Sequence, residues 1–164
     1  MDRMSETRAT FEITTALAAP AVEVWDYAVS PDGINYELGP WVGMTMPAGI
    51  KPGMTIDDAP LGEKLGRSWI KVARFLPVDF DDLCLAERGP GLRFLERSKL
   101  GSASFWQHER KVTPTGEATC EMTDRLEIEV RAPLRRVGGT RIAPRIVRML
   151  FTHRHKRLAE RWGQ

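Results

Sequence analysis

The chain contains few of the residues that form covalent cross-links or zinc sites. Its 164 residues include two cysteines and three histidines. Cys84 and Cys120 form no CxxC pair and have no nearby histidine at the spacing of a zinc site. These absences argue against a structural zinc site and a disulfide framework, so we expect two reduced thiols that face the core of a cytoplasmic protein.

Long apolar runs and a large net charge are also absent. The longest apolar run near the N-terminus, residues 16–22, is far shorter than the roughly 18 residues that a membrane span needs. Residues 1–10 carry charges and no apolar core, unlike a signal peptide. The net charge of +2 gives the whole molecule no strong preference for anions. We therefore expect a monomer or homodimer that has no transmembrane segment and binds no nucleic acid.

Two motifs of catalysis are missing as well. Residues 47–66 are rich in glycine and proline, but no Gly-Lys-Ser/Thr sequence or predicted helix follows, which disfavours a phosphate-binding loop. No Gly-x-Ser-x-Gly sequence occurs, which disfavours a hydrolase triad of Ser98 or Ser104 with His108 and Asp124. Nucleotide chemistry and ester hydrolysis are therefore poor interpretations of this chain.

What the sequence does contain is a long stretch of alternating polar and apolar residues, 104–130. In its second half the even positions are apolar and the odd positions are polar, and this period of two predicts a strand with one buried face. The exception on the buried face is Asp124. We therefore interpret 104–130 as a hairpin of two antiparallel strands with an ionisable group on its inward side.

The register of this hairpin decides which residues Asp124 meets. A five-residue turn at 113–117 would place Asp124 opposite Trp106, and the neighbouring even register would place it opposite His108. Side chains that are opposite or diagonal in an antiparallel pair lie roughly 4.5–8 Å apart. In either register we expect His108, Arg110 and Asp124 to meet on the concave side of a sheet.

The remaining segments predict two helices near the N-terminus, several strands and one long final helix. The strand 92–100 presents Phe94 and Glu96 on the same side, which adds Glu96 to the inward polar group. Turns are expected at 77–79 and 88–91, and a bend at 132–140. The further predicted strands are 9–17, 41–46, 54–58, 67–75, 80–87 and 92–100, and the predicted helices are 20–29, 34–38 and 144–162.

These elements predict an α+β fold with the order β-α-α-β(about six)-α, in which a curved antiparallel sheet is covered by the C-terminal helix. Apolar residues from Ala143 to Trp162 form the stripe by which this helix would pack. A single helix rarely fills the concave face of a curved sheet, so a cavity is expected between them. We expect one domain over 1–164, with a flexible N-terminus of about residues 1–8.

Several short motifs at the boundaries of these elements carry a family resemblance. They are Phe11-Glu12-Ile13, Ala19-Pro20-Ala21-Val22-Glu23-Val24-Trp25, Ser30-Pro31, Leu150-Phe151 and Arg157-Leu158. With the order of elements, they resemble the START-like, or SRPBCC, superfamily of helix-grip proteins, which includes polyketide cyclases, lipid-transfer domains and pollen allergens. The glycine-rich loop of the pollen allergens is not recognisable, so the cyclase and lipid-transport branches are nearer. The resemblance implies an apolar pocket between the sheet and the terminal helix, and no metal or nucleotide cofactor.

Four inward polar residues, Glu96, His108, Arg110 and Asp124, are the candidate catalytic residues. A carboxylate that holds His108 in one tautomer would let the ring act as an acid or a base near neutral pH. Arg110 would hold an enolate or a carboxylate through its planar guanidinium group. The alternative is a structural ion-pair network, because buried charges need partners whatever else they do.

The apolar wall supplies the candidate ligand contacts. The leading hypothesis is a protein that binds a small apolar or aromatic molecule. The alternative is a cofactor-independent enzyme of the polyketide cyclase, aromatase or dehydratase type, which would use the four polar residues. The residues expected to touch the ligand are Phe94, Trp106, Met122, Leu126, Leu150, Phe151 and Arg154.

The C-terminal helix is strongly basic and supports a third hypothesis. Residues 141–161 contain seven arginine and lysine residues against Glu160 alone. A solvated helix face is the ordinary interpretation, and an interaction surface for anionic lipid or RNA is the functional one. His153 and His155 lie two positions apart, on different sides of a helix, and so do not form a metal pair.

Overall fold

The computed structural model describes residues 8–163. The flexible N-terminus predicted for about residues 1–8 lies outside this range except for Arg8, where the first strand begins. Within the range the strands are β1 (Arg8–Leu17), β2 (Val42–Met44), β3 (Lys64–Val72), β4 (Leu76–Arg88), β5 (Leu92–Leu100), β6 (Ala103–Gly116) and β7 (Thr119–Val130). The helices are α1 (Ala21–Ala28), α2 (Pro31–Leu38), α3 (Ala132–Arg136) and α4 (Gly139–Trp162), with a single 3-10 turn at Ile56–Asp58.

The seven strands of this described range form one sheet in the order β1-β7-β6-β5-β4-β3-β2, and neighbouring strands are antiparallel. Register shifts in the β3–β4, β4–β5 and β6–β7 pairs bend the strands. The sheet is therefore a curved half-barrel, and the long C-terminal helix lies against it. The predicted α+β helix-grip fold is confirmed.

The junction between α1 and α2 explains where α2 begins. Ser30 Oγ accepts a hydrogen bond from the Gly33 N–H at 3.0 Å, and Pro31 takes the first helical position. A Cβ on Gly33 would lie 1.8 Å from the carbonyl oxygen of Tyr27, so only glycine fits there. The sequence prediction started this helix at 34, too late. Because α2 begins at Pro31, Glu37 lies in its second turn, on the buried side of the helix.

The predicted turn at 77–79 was wrong. β3 ends at Val72 and β4 begins at Leu76, so Pro77 lies near the start of a strand. Proline is tolerated at a strand end because its missing N–H is not needed there. The turn is made by Ala73 and Arg74, whose backbones are left-handed with φ of 51° and 69°.

The strand predicted at 54–58 was also wrong, because side chains cap a helical turn there. The Thr55 N–H donates to the Asp58 carboxylate at 2.8 Å, and Thr55 Oγ1 accepts from the Asp57 N–H at 3.2 Å. This reciprocal capping satisfies backbone groups that a strand would leave to a partner. The result is the 3-10 turn at Ile56–Asp58.

The β6–β7 hairpin pairs even-numbered residues with even-numbered residues, as predicted, but its register differs. Arg110 lies opposite Asp124, which leaves His108 diagonal to Asp124. Both predicted registers were therefore wrong. The physical reason is that β6 continues to Gly116 through an irregularity near its end, so the turn spans only residues 117–118.

Two clusters of buried side chains hold the helices to the sheet. The larger cluster includes Trp25, Leu85, Cys120, Met122 and Leu158. The smaller one includes Phe11, Trp106, Leu126, Ile128 and Phe151. Both cysteines are free thiols, and Cys120 is in the core as expected, whereas Cys84 is half-buried between the inward positions of β4.

Helix α4 covers the sheet unevenly. It begins at Gly139, earlier than the predicted 144, and α3 occupies part of the predicted bend. In the N-terminal half of α4 the large side chains of Ile142, Ile146 and Met149 are more than half exposed. Its buried residues all lie in the C-terminal half and are Phe151, Arg154, His155 and Leu158. The packed end therefore fixes the helix, and the loosely covered end leaves space above the sheet.

Candidate functional site

A cavity of about 510 Å³ lies between the sheet and the N-terminal half of α4, with α2 and α3 on its sides. Its volume falls within the range of roughly 300–1,000 Å³ that is usual for small-molecule sites. Most of the wall is apolar and includes Leu38, Leu83, Phe94, Trp106, Ile128 and Leu150. The polar residues in the wall are Asp79, Asp81, Glu96, Ser102, His108, Arg110 and Arg154.

His108 lies in this wall between two carboxylates. Its Nε2 is 2.8 Å from Asp124 Oδ1, and its Nδ1 is 3.6 Å from Glu96 Oε2. The rings of Phe94 and Phe151 meet the imidazole edge-on, with centroids 5.4 and 5.0 Å away. The side chain is thus buried and held on every side, which fixes its orientation toward the cavity.

Arg110 is the centre of an ion-pair chain beneath the wall. It donates to both oxygens of Asp124, at 2.8 and 2.6 Å, and to both oxygens of Glu37, at 2.8 Å each. These bonds engage four of the five N–H groups of a guanidinium. Since the side chain is only 1 % exposed, Arg110 holds the two carboxylates together more readily than it would hold a ligand.

The chain of ion pairs links three parts of the fold. Arg154 of α4 donates from Nε to Glu37 of α2 at 2.9 Å. His155, also on α4, contacts Asp124 through Nε2 at 2.9 Å and Thr15 Oγ1 through Nδ1 at 2.8 Å. Arg154 is therefore connected to the polar cluster through Glu37.

Sequence reasoning missed Glu37 and His155. Both interrupt an apolar helical stripe: Glu37 follows Ile34 by three positions, and His155 follows Phe151 by four. A polar residue on the buried side of a helix is a signal of the same kind as Asp124 on the buried side of a strand. That signal was available in the sequence, although it would not have said which strand residues these side chains meet.

The pKa values of Asp124 and Arg110 are shifted in the directions expected for a strong ion pair. Burial by itself would raise the pKa of Asp124, but the charge and hydrogen bonds of Arg110 hold it well below its ordinary value. Burial would lower the pKa of Arg110, and the carboxylates of Asp124 and Glu37 raise it instead. Asp124 and Arg110 are therefore both charged in the folded protein.

His108 and Glu96 form a second charged pair that faces the cavity. Burial would lower the pKa of His108, but the charge of Asp124 and contacts with Glu96 raise it above its ordinary value. Burial would raise the pKa of Glu96, and its contacts with His108 lower it. The cluster thus brings three acidic side chains, Glu37, Glu96 and Asp124, into contact with the basic side chains Arg110, Arg154, His108 and His155.

Asp81 is a further carboxyl group in the wall that sequence reasoning did not single out. It projects from β4 and is 5 % exposed. Burial raises its pKa well above the ordinary value, and the negative charge of Glu96 raises it further. Glu96 itself accepts hydrogen bonds from Ser98 Oγ at 2.7 Å and from Trp106 Nε1 at 3.0 Å. Asp81 and Glu96 are thus neighbouring carboxyl groups whose pKa values are shifted in opposite directions.

Of the seven residues that were predicted to contact a ligand, some line the cavity and others do not. Five of them line the cavity: Phe94, Trp106, Leu150, Phe151 and Arg154. Met122 and Leu126 do not, because both are fully buried, Met122 in the larger core and Leu126 in the smaller one, whereas the cavity reaches β7 only farther along, at Ile128 and Val130. These two residues therefore lie outside the cavity wall.

Residues 8–163 contain neither a candidate metal site nor a candidate membrane-spanning helix. No group of three or more histidine, cysteine, aspartate or glutamate side chains has the geometry to hold a metal ion. No helix in the same range is long and apolar enough to cross a membrane.

Solved structures with similar backbones define the class of this protein. A START superfamily protein from Mycobacterium smegmatis has a TM-score of 0.61 at 12% identity, over 92% of this chain and 97% of that chain. The Zhui aromatase/cyclase from Streptomyces sp. R1128 has a TM-score of 0.68 at 11% identity, over 94% and 93%. A norcoclaurine synthase point mutant from Thalictrum flavum, in complex with a transition state analogue, has 0.59 at 14%, over 97% and 99%. The fold is thus START-like.

The family is narrower than this structural class. Residues 15–162 match the model of a family described as Domain of unknown function (DUF8410), and the chain belongs to that family. No curated protein matches the sequence.

Proposed function

We propose that this protein binds a small apolar or aromatic molecule in the cavity between its sheet and α4. The observation that carries the proposal is a cavity of about 510 Å³ with an apolar wall and a few convergent polar groups. Burial of apolar ligand surface against Phe94, Trp106 and Leu150 would supply most of the binding free energy. Most of the polar groups lie on the sheet side, so they would fix the orientation of the ligand.

Filling the cavity tests this proposal. Ala143 lines the cavity from α4, and Ala143→Trp would place an indole ring inside it. Thr152→Trp adds the same ring to an exposed position of the same helix and is the matched control. We expect the uncharged probe N-phenylnaphthylamine to bind the wild type and Thr152→Trp, as measured by fluorescence titration, and to bind Ala143→Trp at least about tenfold more weakly.

Two results would contradict the proposal: no binding of the apolar probe to the wild type, or equal binding to both tryptophan variants. Native mass spectrometry of the purified protein adds an independent measurement, because a tightly held ligand would remain with the folded chain. A co-purifying molecule that is absent from Ala143→Trp would identify the natural ligand.

A second candidate function is cofactor-independent cyclase, aromatase or dehydratase chemistry. The observation that favours it is His108, a buried imidazolium held beside Glu96 in the cavity wall. In a dehydration, Glu96 would remove a proton next to a carbonyl group and His108 would protonate the departing hydroxyl, which leaves as water. Asp124 would orient His108, and Arg110 would act as a positioning residue because Asp124 and Glu37 occupy its donors.

A β-hydroxy aryl ketone of cavity size would test this chemistry, with the rise in enone absorbance as the readout. We expect the wild type to accelerate water loss over buffer, and His108→Gln and Glu96→Gln to lose about a hundredfold or more of that rate. Ligand binding by these variants, measured with N-phenylnaphthylamine, would show that the cavity persists. An unaffected rate in His108→Gln, or no rate above buffer in the wild type, would remove this candidate.

The third hypothesis, an interaction surface on the basic C-terminal helix, is supported by the exposed side chains around the cavity. Val137 is 73% exposed and Ile142 54% exposed, and both also line the cavity. No aspartate or glutamate occurs between 130 and 159, where basic residues interleave with these apolar ones. Apolar side chains beside arginines match the surface of an anionic bilayer. Docking there would bring the cavity mouth to the lipid.

Vesicle sedimentation would test this role. We expect binding to phosphatidylglycerol-containing vesicles that weakens as salt increases, and little binding to pure phosphatidylcholine vesicles. The double variant Ile142→Ser/Ile146→Ser should bind less, whereas Val22→Ser, which removes an exposed apolar residue from α1, should bind like the wild type. Equal binding by all three proteins would contradict the role, as would binding that ignores salt.

A further inference from the structure

Arg154 is a buried cation in the cavity wall that has unused hydrogen-bond donors. It projects from α4, is 8 % exposed and lines the cavity. A guanidinium group carries five N–H groups, of which one is on Nε and four are on the two terminal nitrogens. Among residues 8–163, the acceptor that Arg154 contacts is Glu37 Oε2, which takes the Nε–H at 2.9 Å. The terminal nitrogens have no acceptor in this part of the chain.

These two terminal nitrogens face open space. The side-chain nitrogens and oxygens of the described residues that are fully enclosed without a partner are Arg8 Nε, Ser68 Oγ and Asp81 Oδ1. The terminal nitrogens of Arg154 do not belong to this set, so a small molecule can reach them from the cavity that Arg154 lines. Buried N–H groups in folded proteins are rarely left unpaired, so an acceptor from outside the chain is expected.

The other two basic residues of the cavity wall have their donors engaged. Arg110 gives four of its five N–H groups to two carboxylates. Both ring nitrogens of His108 also lie near carboxylates. The role of holding a ligand oxyanion, which the sequence suggested for Arg110, therefore fits Arg154 better.

The guanidinium group of Arg154 is held in place without a ligand. Its bond to Glu37 fixes one edge, and its central carbon lies 4.8 Å from the centroid of the Phe151 ring. Phe151 is itself part of the smaller core, so this ring is a rigid support. With Nε engaged, the two terminal nitrogens remain available, and their parallel N–H groups match the two oxygens of a carboxylate.

The acidic groups of the wall lie in another part of the sheet. Asp79 and Asp81 are on β4, which is separated from β7 by β5 and β6, whereas α4 packs mainly on β1, β7 and α2. Glu96, on β5, has its Oε1 engaged by two protein donors. A carboxylate beside Arg154 would therefore sit at the end of the cavity where α4 meets α2.

We propose that Arg154 binds the carboxylate of an aromatic acid, so that the cavity prefers the acid to an uncharged molecule of the same shape. This inference rests on the proposed binding function and names the chemical class of the ligand. The aromatic body of the acid would lie against Phe94 and Trp106, in the apolar part of the wall. Arg154 is in this view the residue that determines ligand specificity.

A pair of nearly isosteric probes tests the proposal. Naphthoate carries a carboxylate where naphthamide carries an uncharged carboxamide, so the two differ mainly in charge. We expect the wild type to bind naphthoate at least about tenfold more tightly than naphthamide in calorimetric titrations, because a carboxylate pairs with both terminal nitrogens of the guanidinium group. Tighter binding of naphthylmethylamine than of naphthoate would contradict the proposal.

Variants of two arginines on the same helix complete the test. Arg154→Gln should bind naphthoate and naphthamide about equally, whereas a purely structural role would weaken both probes alike and keep their ratio. Arg154→Lys keeps a cation for Glu37 but not the planar fork, and should lose most of the preference. The matched control is Arg145→Gln, which removes one charge from an exposed position outside the cavity wall and should keep the full preference.

The outcomes separate this proposal from the function on which it rests. Binding of N-phenylnaphthylamine and naphthamide with no preference for naphthoate would overturn the proposal and leave the binding function intact. Full preference in Arg154→Gln or Arg154→Lys would also overturn it, as would loss of the preference in Arg145→Gln, which would indicate a general attraction of anions to the basic helix. If none of the probes binds to the wild type, the proposed function fails and this proposal fails with it.

Discussion

Asp124 accepts hydrogen bonds from Arg110, His108 and His155 while it is completely buried. Asp124→Asn would leave the Arg110 charge without its closest counterion, and removing one partner of a buried pair typically costs about 3–5 kcal/mol of unfolding free energy. Urea denaturation followed by circular dichroism would measure the loss. The control is Asp82→Asn, which breaks the more exposed pair with Arg67 and should cost much less. Equal losses would contradict the central role of Asp124.

His108 makes a stability contribution that depends on pH in a predictable direction. Because its pKa is raised above the ordinary 6.5, its stabilisation is fully present below that pH and is lost as pH rises through the folded value. The destabilisation caused by His108→Asn should therefore be larger at about pH 5.5 than at about pH 9. Urea denaturation of both proteins at the two pH values checks this. A destabilisation that grows with pH would contradict the protonated state.

The carboxyl groups affect how the folding stability depends on pH in the acidic range. The pKa of Asp124 is lowered, so its contribution is present above the ordinary value of 3.8 and disappears as pH falls below it. Asp81 has a raised pKa, and the unfolded chain releases its proton first, so this residue reduces stability as pH rises above about 4. Together, these two effects should make the contribution of the cluster to folding stability greatest at mildly acidic pH.

Single residues were predictable from sequence where they interrupt a strand pattern. Asp124 and Glu96 are polar residues at positions that should be apolar, and the structure brings both to His108. Glu37 and Asp81 were not found, because the first lies on a helix whose start was misplaced and the second near a strand start that was misplaced. Whether these side chains bind or transform a ligand stays a prediction.

The helical pair α1–α2 depends on one close backbone approach. A Cβ at Gly33 would lie 1.8 Å from the Tyr27 carbonyl oxygen, so Gly33→Ala forces the two helices apart. In an ordinary helix this change would stabilise by up to about 1 kcal/mol, and here we expect a loss of about 2 kcal/mol or more. Thermal unfolding measures the sign. Gly43→Ala, whose Cβ would lie 3.5 Å from Asn35 Oδ1, should be nearly neutral.

At the scale of elements, periodicity predicted which segments are strands and helices better than it predicted where they end. Strand β5 was predicted with its exact bounds because glycine flanks it and its pattern is regular. The β6–β7 register could not be obtained, since the irregularity near the end of β6 depends on pairing with β7 and leaves no periodic signal. The predicted inward face of each strand was nevertheless correct, because the register error was an even number of residues.

The whole molecule encloses a cavity because one helix must cover a sheet of seven strands in the described range. The sequence predicted that space from the order of elements alone. It could not predict which end of α4 stays loose, because this depends on the ion pairs of Arg154 and His155 with Glu37 and Asp124. These contacts hold the C-terminal half of α4 against the sheet, whereas its N-terminal half lies over the cavity.

This uneven attachment predicts a difference in local stability along α4. Amide hydrogens of 139–149 should exchange faster than those of 151–162 in the ligand-free protein, because few side chains of the first half are buried. Binding of N-phenylnaphthylamine should slow exchange mainly in 139–149, because most of the cavity wall that α4 supplies lies there and the second half supplies only Phe151 and Arg154. Hydrogen–deuterium exchange with mass spectrometry resolves the two segments. Uniform exchange along the helix, or ligand protection confined to 151–162, would mean that the cavity does not lie under its N-terminal half.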